Sequence, residues 1–207
     1  MGAVSALALS SACGGEPKVV GAPLAPAISG SSTLLSVGDY VVYRFAGTDV
    51  GSVTLREEVI AQDGAKVTIA LHAERGDETR EWIQVGPSSA DARWNNAVDT
   101  IYVSRGGERR ELPNPDNVTL GRLYDWILVS MDAGSSSGES AACEQPIGNA
   151  RHACTCERKT LMLRQRRVQS EVSRCPGFAW QRGPARFTSE DGKVVWQSEI
   201  VETGHRH

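Results

Sequence analysis

From Val37 onward, apolar and polar positions alternate with a period of two, the spacing of strands that are dry on one face and wet on the other. Val41, Tyr43 and Phe45 alternate with Val42 and Arg44, and a second run sets Val53, Leu55 and Val59 on one face. Glu57 interrupts that face and predicts a bulge. The third run is the cleanest, with Val67, Ile69, Leu71 and Ala73 opposed to Lys66, Thr68, Ala70, His72 and Glu74. Turn residues punctuate the runs at Gln62-Asp63-Gly64-Ala65 and Arg75-Gly76-Asp77-Glu78, so residues 37–86 read as an antiparallel meander of four strands ending at Val85. Its dry face needs a cover.

The expected cover is an amphipathic helix over residues 117–131. Pro113-Asn114-Pro115-Asp116 is a helix start with Asp116 or Asn117 as cap, and Leu120, Leu123, Tyr124, Ile127 and Met131 recur at helical spacing. Before it, residues 98–104 supply a strand with Ile101 and Val103 opposed to Val98, Thr100 and Tyr102. At the far end, residues 184–189 and 194–201 flank Glu190-Asp191-Gly192-Lys193 and form a hairpin. Residues 151–174 fit either period and are read as a long solvated strand or hairpin, with a short polar tail at Gly204-His205-Arg206-His207. The fold class is therefore α+β, mainly antiparallel β: a curled, half-barrel-like sheet packed on one amphipathic helix, with a disulfide-stapled C-terminal hairpin.

Upstream of the meander the pattern is different. Residues 2–13, Gly-Ala-Val-Ser-Ala-Leu-Ala-Leu-Ser-Ser-Ala-Cys, form an apolar run too short to span a bilayer and suited to an export signal. Residues 14–36 carry Gly14, Gly15, Pro17, Gly21, Pro23, Pro26 and Gly30-Ser31-Ser32 with no period, and read as a flexible tether. The division is thus a signal at 1–12, Cys13 with a tether to 36, and a single β-rich domain from 37 to 207.

The junction Ser10-Ser11-Ala12-Cys13-Gly14-Gly15 resembles the lipobox of bacterial lipoproteins. It departs from that pattern in having Leu9 four places before the cysteine and no charge between Met1 and Cys13. The resemblance implies that Cys13 is lipidated and begins the mature chain, and Gly14 after it implies the outer membrane. Ser10-Ser11-Ala12 also fits ordinary signal-peptidase cleavage, which would give a secreted or periplasmic protein. More broadly, the tether, meander, helix and stapled hairpin look like small outer-membrane lipoproteins of GC-rich bacteria, and more faintly like periplasmic carriers of lipoproteins or lipids. Only four of the 22 basic residues are lysines, the bias of such genomes.

Export gives the late cysteines their meaning. Cys143, Cys154, Cys156 and Cys175 form an even set that reads as two disulfides, pairing 143 with 154 and 156 with 175, or 143 with 156 and 154 with 175. A four-cysteine zinc site is the rival, disfavoured by a single Cys-x-Cys pair in an oxidising compartment. Between these cysteines lies a polar excursion over residues 144–153, and residues 151–174 hold seven basic residues against Glu157 and Glu171. Arg158, Lys159, Arg164, Arg166, Arg167 and Arg174 are a candidate patch for an anionic partner, an envelope protein or an acidic glycan, although a merely solvated face is the preferred reading of such a charged run.

A net charge of −3 argues against a grossly basic nucleic-acid binder. Gly134-Ser135-Ser136-Ser137-Gly138 matches G-x-S-x-G, but a helix precedes it and no strand-turn-helix context follows, so Ser136 reads as linker. No HExxH, P-loop or dinucleotide fingerprint is present, and no metal, cofactor or catalytic residue is expected. The expectation is a lipid-anchored envelope module that binds a partner without catalysis. The alternatives are a carrier of an apolar ligand lined by Trp82, Trp94 and Trp126, with Trp180 and Trp196 as further candidates, and an envelope hydrolase.

Overall fold

A computed structural model describes residues 34–89, 92, 98–105, 108–127, 138–163, 165–180 and 182–206. The export signal, Cys13, the tether to residue 33, Trp94, Met131, Ser136 and Arg164 lie outside the described residues. The period-two stretches form strands β1 (Asp39–Gly47), β2 (Gly51–Asp63), β3 (Lys66–Arg75) and β4 (Glu78–Pro87), joined in register as an antiparallel meander. Asp63 pairs with Lys66 around Gly64, and Arg75 with Glu78 around Gly76; both glycines have positive φ. Strand β5 (Thr100–Arg105) adds to β4 and is followed by β6 (Glu108–Pro113), a charged edge strand that the alternation did not disclose.

After a short helix α1 (Asn117–Leu123), the chain forms β7 (Glu139–Ile147), β8 (Ala150–Leu163), β9 (Arg166–Arg174), β10 (Arg182–Ser189) and β11 (Val194–His205). The sheet order is β10, β9, β8, β7, β11, β1, β2, β3, β4, β5, β6, with β10 also paired to β11. All pairings are antiparallel except β7 with β11, which meet in one parallel bridge between Ile147 and Ile200. The sheet is not a barrel, which corrects the half-barrel picture.

Several expectations change with the register. The predicted helix is seven residues long: Asp116 Oδ1 caps it by accepting from the Thr119 N–H at 2.7 Å, and Tyr124 ends it by donating to the Leu120 carbonyl. Thr119 and Gly121 are weak helix formers, so the apolar residues that follow turn onto the sheet instead of extending the helix. Trp126 and Ile127 are buried there, with Leu120, Leu123 and Tyr124 packed beside them. The helix does not cover the dry face alone. Leu35, Cys175, Phe178 and Trp180 share that core with Val41, Leu55, Ile69, Leu71 and Trp82. Leu35 is fully buried, so the end of the expected tether belongs to the domain. The bulge falls at Ile60, between the pairs Val59–Ile69 and Ala61–Thr68, while Glu57 keeps its place opposite Leu71. The expected polar excursion over residues 144–153 is instead the β7–β8 hairpin around Gly148.

Besides the shared core, strand pairing and an ion pair bind the halves of the molecule. Strand β1 lies against β11 from Asp39–His205 to Ala46–Gln197, bracketed by Gly38 and Gly47. Both have positive φ, and a Cβ would stand 2.2 Å from the Arg206 carbonyl oxygen at Gly38 and 2.4 Å from that of Val195 at Gly47. At the same end, the Arg166 guanidinium reaches across from the β8–β9 turn to both carboxylate oxygens of Asp49, at 2.8 and 2.6 Å. The Asp49 side chain is 7% exposed.

Removing the guanidinium leaves that carboxylate nearly buried and unpaired, so Arg166→Ala is expected to cost about 1–2 kcal/mol in urea unfolding. The double variant with Asp49→Ala is expected to cost less than the sum of the two single changes; strict additivity would show that the pair carries no coupling.

Candidate functional site

Period two decides the fate of the arginine-rich segment. Cross-strand partners share a face, so Arg158 and Arg167 stand on one side of the β8–β9 hairpin, while Lys159, Arg166 and Arg174 stand on the other. Arg164 is outside the described residues. Most of the cations are also neutralised locally. Arg158 Nε donates to Glu171 at 2.6 Å, Lys159 meets Glu157 at 2.7 Å, Arg166 meets Asp49, and Arg167 lies 3.7 Å from Glu190. The expected patch is therefore split between two faces and is not one surface.

What the sheet does assemble is a row across four strands. Arg158 of β8 pairs in register with Glu171 of β9, Glu171 with Arg186 of β10, and Arg186 with Gln197 of β11. Two open depressions meet at Arg186. One, of about 390 Å³, is lined by Arg158, Gln169, Ser170, Glu171, Arg186 and Thr188. The other, of about 480 Å³, includes Glu171, Arg186, Gln197 and Glu199, with Pro146 and Pro184 at its rim. The prolines have a structural reason. The second edge of β11 is taken by β10 over residues 194–198 and by β7 only at Ile200, so β7 and β10 diverge there. Proline, lacking an N–H, sits where strands part without wasting a donor.

Glu171 turns toward Arg158. Among the described residues Arg186, although exposed, makes no ion pair. Sequence reasoning missed this residue. The alternation of Phe187 with Arg186 and Thr188 marks it as outward-facing, but only the β9–β10 register places it beside Glu171.

The cysteines fix one wall of this region. They form the second of the two expected connectivities, Cys143–Cys156 and Cys154–Cys175, with Cα separations of 5.8 and 4.1 Å. None of these four cysteines is left as a thiolate for zinc. Cys143 stands opposite Cys154 in the ladder and bonds diagonally to Cys156, while Cys175 is fully buried in the core. Gln145 donates to the Cys156 sulfur at 3.2 Å, and the His152 ring lies 5.9 Å from that of Phe178.

The tryptophans have other employment. Trp82 is 3% exposed and meets the Tyr124 ring edge-on at 5.1 Å. Trp126 is 5% exposed, with the Arg75 and Arg80 guanidinium groups over its ring at 4.4 and 4.0 Å. Trp180 is also in the core, and Trp196 donates to the Ile127 carbonyl at 2.8 Å. Trp82 and Trp126 are packed against the protein's own side chains.

Two histidines respond oppositely to their surroundings. His72 lies on the wet face, as expected, with Nδ1 2.9 Å from Glu81 and Nε2 3.0 Å from Glu74. Desolvation, the largest single effect, lowers its pKa, but the hydrogen bonds and charges of the two carboxylates together outweigh it and hold the pKa above 6.5. Burial alone depresses that of His152.

No protein-family model matches the chain, and no curated protein does. Among solved structures the chain is similar to a Bacteroides fragilis protein described as exported, with a YmcC-like fold: 7% identity, TM-score 0.44, covering 82% of this chain and 96% of that one. MucB matches at 13% identity and TM-score 0.44, with 82% of this chain aligned to 54% of MucB. A hypothetical protein of Chlamydia trachomatis matches at 8% identity and TM-score 0.43, over 82% of this chain and 88% of that one. None carries a site residue over to this chain.

Proton NMR titration is expected to place the midpoint of His72 above 6.5 and that of His152 below it. By linkage, the small contribution of His72 is full below the unfolded value near 6.5 and fades as pH rises through its raised folded value. That of His152 has the opposite sign, fading as pH falls below the unfolded value toward its depressed folded one. Peptide mapping without reduction is expected to recover the 143–156 and 154–175 links. Removing either pair should cost about 3 kcal/mol by loop closure, and more at 154–175, where the core is also disturbed.

Proposed function

We propose that this chain is a lipid-anchored module of the bacterial cell envelope that acts by binding a partner and carries out no reaction. The observation that carries the reading is the open groove around Arg186, built on a sheet whose neighbouring strands are stapled by two disulfides. Disulfides of this kind persist in oxidising compartments, in accord with the export-like run ending at Cys13. The groove presents guanidinium, carboxylate, amide and hydroxyl groups on a fixed backbone, the equipment of a polar recognition surface. The lipobox-like junction supports attachment through Cys13, and Gly14 supports the outer membrane. A carrier of apolar ligands has less to recommend it, because Trp126, Ile127, Phe178 and Trp180 fill the dry side of the sheet.

The test is fractionation of cells producing the full chain and its Cys13→Ala variant. The parent is expected in the membrane fraction and the variant in the soluble envelope fraction, with both disulfides intact. Retention of the variant in the membrane fraction would overturn the lipid anchor.

A further inference from the structure

We propose that the groove around Arg186 binds an acidic saccharide, with the ligand carboxylate on the Arg186 guanidinium and its hydroxyls on the flanking side chains. This rests on the reading of the chain as a binding module and names the chemistry of its ligand. The charge pattern comes first. Along the row Arg158, Glu171, Arg186, Gln197, the first two residues neutralise each other at 2.6 Å, leaving one exposed guanidinium with no ion pair among the described residues. One positive charge in an otherwise neutral row suits a ligand carrying one negative charge per repeat. A densely charged polyanion would meet the carboxylates of Glu171 and Glu199 on the same face.

The flanking groups select hydroxyls. Gln169 is oriented by its donation to Thr160 at 3.1 Å and stands beside Thr188 in the first depression. Gln197 donates to Glu199 at 3.3 Å in the second. Amide and hydroxyl groups that donate and accept, next to carboxylates that accept, match the donors and acceptors of a polyol around a carboxylate. The backbone weighs against an extended peptide. The floor strands β8 and β9 are paired on both sides, and β10 is paired to β9 and to β11 over residues 185–188, so they offer no free edge for strand addition. In the first depression recognition therefore falls to side chains. Four strands at a spacing of about 4.8 Å make the row about 14 Å long, enough for a short oligosaccharide.

The experiment is calorimetric titration of the purified, oxidised full chain in detergent with a short hyaluronan oligosaccharide, which carries one carboxylate per disaccharide. A neutral maltooligosaccharide and inorganic phosphate serve as comparison probes. The acidic oligosaccharide is expected to bind at least about tenfold more tightly than either, with an affinity that falls as salt is added. Arg186→Ala is expected to weaken it about tenfold or more, and Arg186→Glu further. Arg109→Ala, a change to an arginine lying over Tyr102 on the β5–β6 hairpin, is expected to leave it unchanged. Circular dichroism and thermal unfolding verify that the variants keep the fold. No binding, equal binding of the neutral probe, equal binding of phosphate, or an Arg186→Ala variant that binds like the parent would each overturn the site. Shortening of the saccharide during the titration would overturn the non-catalytic reading and support the site. A failed titration beside a membrane-bound parent and a released Cys13→Ala variant would overturn the ligand alone.

Discussion

Strand β11 carries the two halves of the molecule on its two edges. One edge takes β1 from Gln197 to His205; the other takes β10 up to Ser198 and then touches β7 at Ile200. Hydrogen-bonding groups along a buried strand need partners, so the last element of the chain must be in place before either half is complete. The first and last strands therefore close the fold, through pairs more than 150 residues apart, such as Tyr40 with Glu202 and Asp39 with His205. The close approach of β11 explains why glycine stands at both ends of β1. The groove is a by-product of the same constraint. Where two strands share one edge they must part, and the notch left between them is bordered by Pro146 and Pro184.

The wet face is kept nearly neutral by alternating sign across the strands. Arg56 pairs with Glu58, His72 bridges Glu74 and Glu81, Arg44 faces Glu199, and Arg158 pairs with Glu171. The exposed pairs among these contribute little stability, commonly below about 1 kcal/mol, but the alternation prevents rows of like charge from repelling one another. Arg186 departs from the rule because one cross-strand neighbour, Glu171, is engaged elsewhere and the other, Gln197, is neutral. Within the row from Arg158 to Gln197 it is the one charge without an ion pair among the described residues.

The meander and the final hairpin were legible because every signal in them is local. Alternation at Val67, Ile69, Leu71 and Ala73 fixes the face, and Asp63-Gly64 and Asp191-Gly192 fix the turns. Asp116 was legible as a cap for the same reason. The arginine cluster misled because adjacency in sequence counts charge from both faces of a strand, whereas the surface counts only every second residue. Phe178 and Trp180 were missed as part of the cover because they lie in an aperiodic turn, which the Cys154–Cys175 link and the β9–β10 pairing hold at the core. Arg186 was hidden in the register between β9 and β10, which no single stretch of sequence contains.

Compartment and groove are linked through the cysteines. Strand β7 supplies Pro146 to the rim, yet its bond to β11 is one bridge, so its position depends on the β8 side. There, Cys143–Cys156 ties it across the ladder and Cys154–Cys175 ties β8 to the core. Without those bonds, a wall of mostly exposed polar residues would be held by backbone pairing alone, with little apolar burial to add. An oxidising environment is thus a condition for a rigid groove as well as for paired cysteines. On the proposed export of the chain, the short apolar run before Cys13 and the polar cleft more than 100 residues later are linked: the first would deliver the chain to the conditions under which the second keeps its shape.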